Sequence, residues 1–142
     1  MDNNIQQTPF HLAIPVSNLK KAREFYSIAL GFVEGRSSSD WVDYNFFGHQ
    51  LVIHKTSNRN INNHNDVDGH SIPVPHFGVI LNMNDWINFK ERLMSQNIKF
   101  VVEPHIRFEN TAGEQATMFF LDPCGNALEF KAFHDINNLF KK

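Results

Sequence analysis

Apolar positions follow two rhythms along the chain, and the order of the rhythms recurs. Phe10 to Val16 is a short apolar run of strand type. After it Leu19, Ala22, Phe25, Tyr26, Ala29 and Leu30 fall at three- and four-residue intervals, the spacing of one helix face. Ser17 or Asn18 stands where an N-cap belongs and Gly31 where a C-cap belongs, so the pattern predicts a helix from about Asn18 to Leu30. Phe32 to Glu34, Trp41 to Phe47 and Gln50 to Lys55 are β-prone runs separated by the turn chemistry of Gly35 to Ser39 and of Gly48-His49. Thr56 to Ile72 is rich in Asn and nearly free of apolar residues, which predicts an exposed loop. The first order then returns. Val74 to Leu81 is apolar, Asp85 to Gln96 has helical periodicity, and Lys99 to Glu103, Gln115 to Leu121 and Ala127 to Phe133 read as strands.

The chain therefore reads as a β-α-β-β-β module repeated. His11-Leu-Ala-Ile-Pro-Val16 falls over His76-Phe-Gly-Val-Ile-Leu81. Module one covers about 8–56, the loop joint about 57–72 and module two about 73–134, within a single α+β domain spanning 1–142.

Composition narrows the function. With 142 residues, 42% of them hydrophobic, the chain suits one domain with a sizeable core. Thirteen Lys plus Arg against fifteen Asp plus Glu leave no basic excess for a phosphate backbone, so nucleic acid is not expected as a partner. The one cysteine, Cys124, makes no internal disulfide and reads as part of a turn. The first residues carry no signal-peptide pattern and no stretch is long and apolar enough for a membrane span, so a cytoplasmic protein is expected. Fourteen Phe suggest an aromatic interior with an apolar pocket, and eight His raise the question of metal binding.

Alternation along the strands sorts those histidines. His11 shares a strand face with Ala13, while Phe10, Leu12 and Ile14 take the other, and the repeat puts His76 in the equivalent place beside Gly78. Glu129 alternates with Leu128 and Phe130, so a carboxylate is directed to one sheet face, where it needs a proton, an ion pair or a metal. Two imidazoles and one carboxylate form a ligand set for a divalent first-row metal with open positions. By internal symmetry His54 is a candidate fourth ligand. Tyr44 and His105 are candidate acid–base residues, and Arg107, Glu103 and Gln115 are candidate substrate-binding residues. His105 and Arg107, two apart, share a face suited to an anionic oxygen. His64, His70 and His134 read as surface residues.

The opening pattern His11-Leu-Ala-Ile-Pro-Val-x-Asn-Leu-x-x-Ala-x-x-Phe-Tyr-x-x-x-Leu-Gly31-Phe32 and the closing Phe120-Leu-Asp-Pro-Cys-Gly-Asn-Ala-Leu-Glu129-Phe130 resemble the vicinal oxygen chelate superfamily. The superfamily includes glyoxalase I, extradiol dioxygenases, fosfomycin-resistance enzymes and metal-free bleomycin-resistance proteins. The resemblance implies two paired βαβββ modules forming a cupped mixed sheet with helices outside, around a metal held at His11, His76 and Glu129. The position of His54 matches a Glu ligand of glyoxalase I, a departure that weighs against glyoxalase chemistry. The expected function is a metal-dependent enzyme acting on a small, aromatic molecule with vicinal oxygens, most like an extradiol dioxygenase. Fe(II) is favoured over Mn(II), Ni(II) and Zn(II), and a homodimer is expected. Lactoylglutathione lyase-type isomerisation, fosfomycin-resistance-like transfer and non-catalytic binding are the alternatives.

Overall fold

The computed structural model describes residues 8–57, 64–67 and 69–142. The chain divides into two compact units, Met1–Ser57 and Asn58–Lys142.

In the first unit β1 (His11–Val16) leads into helix α1 (Leu19–Glu24), which continues as one wider π turn over Phe25–Ala29. The Asn18 side chain accepts a hydrogen bond from the Lys21 amide at 3.0 Å, and Gly31 takes φ of +77°, so both predicted caps form. Strands β2 (Val33–Ser37), β3 (Trp41–Phe46) and β4 (His49–Lys55) complete a sheet of order β1-β4-β3-β2, with β1 parallel to β4 and the other pairs antiparallel. Ile14, Val42, Tyr44, Leu51 and Ile53 are buried along with Ala22 and Tyr26 of the helical segment. Alternation therefore turns the intervening residues His11, Asp43, Gln50 and Val52 to the opposite sheet face.

The second unit begins differently from expectation. The Asn-rich joint is not all loop: β5 (His64–Val67) and β6 (His70–Pro73) pair as an antiparallel hairpin. Of that expected loop, 58–63 and 68 lie outside the described residues, as do 1–7. The apolar run after the hairpin is two short strands, β7 (His76–Phe77) and β8 (Ile80–Leu81), interrupted at Gly78 and Val79. Helix α2 (Met83–Ser95) follows, its first turn capped by Asn82. Strands β9 (Phe100–Arg107), β10 (Gln115–Leu121) and β11 (Ala127–Phe133) give the order β7-β11-β10-β9, with β8 also on β11. Here β7 and β8 run parallel to β11, as β1 does to β4, so the sheet repeats the order of the first.

Leu128, Phe130 and Ala132 of β11 bury one face against α2. Phe89 meets Phe130 edge-on at 4.8 Å, and the Trp86 indole donates to the Phe130 carbonyl at 2.9 Å. Burying a large apolar side chain of this kind contributes about 1.5–3 kcal/mol, so α2 fixes which face of β11 is left for chemistry. The β10–β11 hairpin is closed by Asp122, whose carboxylate accepts from the Cys124 and Asn126 amides at 2.8 Å each. Cys124 is thus a turn residue, and Gly125 supplies the positive φ of +86°. Among the described residues no helix is long and apolar enough to cross a membrane.

Candidate metal centre

Glu129 stands on the face of β11 away from α2, with its side chain 18% exposed. Its Oε1 accepts a 2.8 Å hydrogen bond from the Thr117 hydroxyl on β10, and the Lys131 ammonium lies 3.8 Å from the same oxygen. Its Oε2 lies 3.2 Å from Nε2 of His76. The other ring nitrogen of His76, Nδ1, is 2.7 Å from the Pro73 carbonyl. A carbonyl only accepts, so Nδ1 carries the hydrogen. In a neutral ring Nε2 is then a bare lone pair facing a carboxylate lone pair. That opposition holds only if a proton or a cation lies between the two.

Gly78 makes the approach possible. A Cβ there would fall 1.6 Å from the Glu129 carbonyl oxygen, so no larger residue lets the chain after His76 run this close to β11.

In the first unit His11 has its own fixed polarity. The Gln50 amide nitrogen donates to Asp43 Oδ2 at 3.2 Å, and Arg36 Nε stands 3.8 Å from that oxygen. Gln50 therefore turns its Oε1 to His11 Nδ1, 2.7 Å away, and Nδ1 must donate. His11, like His76, keeps Nε2 as its lone-pair nitrogen, the arrangement that carbonyl partners impose on metal-ligating imidazoles. His49 takes the opposite tautomer, since its Nδ1 accepts from the Phe10 amide at 2.8 Å.

The donor chemistry fits a divalent ion. Two ligand atoms at right angles on an ion with bonds of ~2.1 Å lie ~3.0 Å apart, close to the 3.2 Å between His76 Nε2 and Glu129 Oε2. Among the described residues no group of three or more His, Cys, Asp or Glu side chains is placed to hold a metal. The pair brought together is His76 with Glu129, and His11 stands in the first unit.

The remaining candidates separate. His54 is exposed at the end of β4. His76 pairs with Ala127, two residues before Glu129, whereas His11 pairs with Gln50, two residues before Val52. The repeat thus matches Glu129 with Val52, and the symmetry argument for His54 is displaced by two positions. Tyr44 is a core residue, 2% exposed: it neighbours Asp43 in β3 and so points to the helix side. Burial raises its pKa, and its hydroxyl shares a 3.1 Å hydrogen bond with Ser27.

His105 and Arg107 do share a face. They line a cavity of about 180 Å³ in the second unit, together with His76, Thr117, Phe119 and Glu129. Glu103 does not line it. A bulge in β9 sets the three-residue step from Val102 to His105 against the two-residue step from Phe119 to Thr117, so Val102 and His105 both reach the cavity face. Glu103 instead contributes its carbonyl, which accepts from His105 Nδ1 at 2.8 Å. Gln115 is half-buried two residues beyond Thr117 and is also outside the lining.

His70 and Lys131 are the functional candidates missed by sequence reasoning. His70 comes into the cavity on the β5–β6 hairpin, with its ring 6.4 Å from that of His105. Lys131 could have been found from its i, i+2 spacing to Glu129.

Two sheets of the same order, one carrying His11 and the other a His–Glu pair at its parallel strands, define a duplicated βαβββ protein with metal-donor side chains. Residues 8–130 match the glyoxalase/bleomycin resistance protein/dioxygenase superfamily, and the chain belongs to that family. A solved glyoxalase/bleomycin resistance protein/dioxygenase from Alicyclobacillus acidocaldarius is similar at 30% identity and a TM-score of 0.77, covering 96% of this chain and 99% of its own. A genomically encoded fosfomycin resistance protein from Listeria monocytogenes has 15% identity and a TM-score of 0.64, over 89% of this chain and 93% of its own. A lactoylglutathione lyase from Agrobacterium tumefaciens has 17% identity and a TM-score of 0.61, over 88% and 92%. At such identities these last two speak for the fold alone. A search of curated protein sequences finds no match.

Proposed function

We propose that the chain is a metal-dependent enzyme acting on a small molecule with oxygens on adjacent carbons, and that its reaction is an extradiol-type oxygenation. His11, His76 and Glu129 hold the divalent ion, Fe(II) before Mn(II), Ni(II) or Zn(II), in a homodimer. The observation that carries this reading is the 3.2 Å approach of His76 Nε2 to Glu129 Oε2, a gap that a proton or a cation must fill, with the other polar atoms of both side chains already engaged.

Two imidazoles and one carboxylate leave coordination positions open for a chelating substrate and a second small ligand. Val52 at the position matched to Glu129 favours three protein ligands over the four of a glyoxalase I-type site. When bound, the metal supplies Lewis acidity to the chelated oxygen pair. His105, with Nδ1 committed to the Glu103 carbonyl, offers Nε2 to take a proton from a substrate hydroxyl. Phe119, edge-on to His76 at 5.0 Å, holds that ring and helps exclude water.

The reading is tested by analysing metal in protein purified without chelator, then loading Fe(II) anaerobically and admitting oxygen with a panel of catechols. Oxygen uptake that needs both iron and catechol is the expected result. Turnover only of the methylglyoxal–glutathione hemithioacetal under Ni(II), Zn(II) or Mn(II) would make the protein a lyase. Absence of bound metal, with His11→Ala leaving thermal stability unchanged, would make it a binding protein.

A further inference from the structure

Lys131 lines the cavity of the second unit, and we propose that it is a specificity-determining contact: its ammonium holds an ionised oxygen of the ligand, so that the cavity takes an anion in preference to a neutral molecule of the same shape. The proposal deepens the functional reading and rests on it in taking this cavity for the substrate pocket.

The sheet sets the lining out in rows. Thr117 of β10 pairs with Lys131 of β11 on one side and with His105 of β9 on the other, and all three line the cavity. Neighbouring strands lie about 4.8 Å apart, so Lys131 and His105 stand roughly 10 Å apart at Cα. The next row carries Glu129, Phe119 and Val102, again all in the lining. A small ligand therefore meets an apolar wall of Phe119, Val102 and Ile72 beside a polar row that has a cation at one end and an imidazole at the other.

Glu129 does not use up the charge of Lys131. The ammonium stands 3.8 Å from Glu129 Oε1, beyond hydrogen-bond reach, and that oxygen already accepts from the Thr117 hydroxyl at 2.8 Å. The other oxygen, Oε2, faces His76 Nε2 at 3.2 Å across the gap that a proton or a cation must fill, so the carboxylate charge is answered there first. Lys131 thus keeps its N–H donors for an incoming oxygen, and a hydrogen bond from an ammonium to an ionised oxygen is stronger than one between neutral groups. His105 sets the other end of the row. Its Nδ1 donates to the Glu103 carbonyl at 2.8 Å, which leaves Nε2 to accept. A ligand with one ionised oxygen and one hydroxyl matches both ends. The cavity of about 180 Å³ has room for one ring, since an engineered apolar cavity of about 150 Å³ binds benzene.

The test uses two probes of one shape, benzoate and benzamide, on chelator-treated protein, so that it is independent of whether a metal binds. Titration followed by NMR is expected to show both probes shifting the His105 imidazole resonances saturably, with benzoate bound about three- to tenfold more tightly. The factor is modest because the Lys131 side chain is 38% exposed, and added salt should narrow it. Lys131→Met and Lys131→Gln, two neutral variants of different polarity, should each bring the affinities together by weakening benzoate alone, while Lys131→Arg keeps the preference. Equal binding of the two probes to the parent protein, benzoate shifts that spare His105, or a preference undiminished in both neutral variants would overturn the proposal. A protein that binds no metal yet keeps a Lys131-dependent preference for benzoate would instead sink only the catalytic reading.

Discussion

Gln50 shows how one neutral side chain decides the chemistry of another. It is the link between Asp43 and His11, and its amide polarity is dictated by a carboxylate that can only accept. Removing such a supporting partner from a metal-binding imidazole costs about 10–100-fold in affinity. Gln50→Leu is therefore expected to weaken metal binding by about that factor, while Gln50→Glu, which keeps an acceptor for Nδ1, should lose less; metal titration with circular dichroism as a fold control checks both. A second residue-scale prediction concerns Glu34. Arg23 Nε and Nη2 donate to its two carboxylate oxygens at 2.8 and 2.5 Å, and Ser27 donates at 2.6 Å. The hydrogen bonds from Arg23 and then Ser27 hold its carboxyl below the usual range. A depressed folded pKa stabilises the protein above the ordinary carboxylate range and loses that contribution as pH falls through the folded value. Urea unfolding should accordingly find Glu34→Gln less stable than the parent at neutral pH, with the gap closing in acid. A gap that stayed constant with pH would refute the assignment.

Among the elements, the interrupted strand at Gly78 carries the strongest constraint. The Cβ of Gly78→Ala would sit 1.6 Å from the Glu129 carbonyl oxygen and 2.6 Å from its carbon, so main chain has to move. Forced shifts of this kind cost about 1–3 kcal/mol, and here they also displace Glu129 from His76. Urea unfolding should show the loss of stability and metal titration a loss of affinity. Retention of both would mean that β7 and β11 can part without consequence. This element also shows what was legible in the chain. Period-two alternation identified the outward face of Glu129, and the repeat placed His11 and His76 at equivalent strands, because both are local patterns that the sheet preserves. Alternation failed where the backbone departs from it, at the β9 bulge that brings Val102 and His105 to one face. Composition failed at the joint, where Asn-rich flanks hid a pair of four-residue strands whose Ile72 packs on Phe119 and its neighbours. His70 was missed for the same reason, since nothing local distinguishes it from a surface histidine.

For the molecule as a whole the open relation is between His11 and the His76–Glu129 pair, which lie in different units. Each single substitution, His11→Ala or Glu129→Gln, should lower metal affinity, but either could do so indirectly. The double-mutant cycle separates the cases. Groups that ligate one ion are coupled, by about 0.5–3 kcal/mol, because once one ligand is lost the other has less to contribute. Distant groups without a shared partner add to within about 0.5 kcal/mol. The expected outcome is a double variant that binds metal scarcely worse than the weaker single variant, with the thermal upshift produced by added metal abolished in all three. Strict additivity of the two affinity losses would assign His11 to a separate role, and the three-ligand reaction chemistry would fall with it while the His76–Glu129 pair kept its own requirement for a proton or a cation.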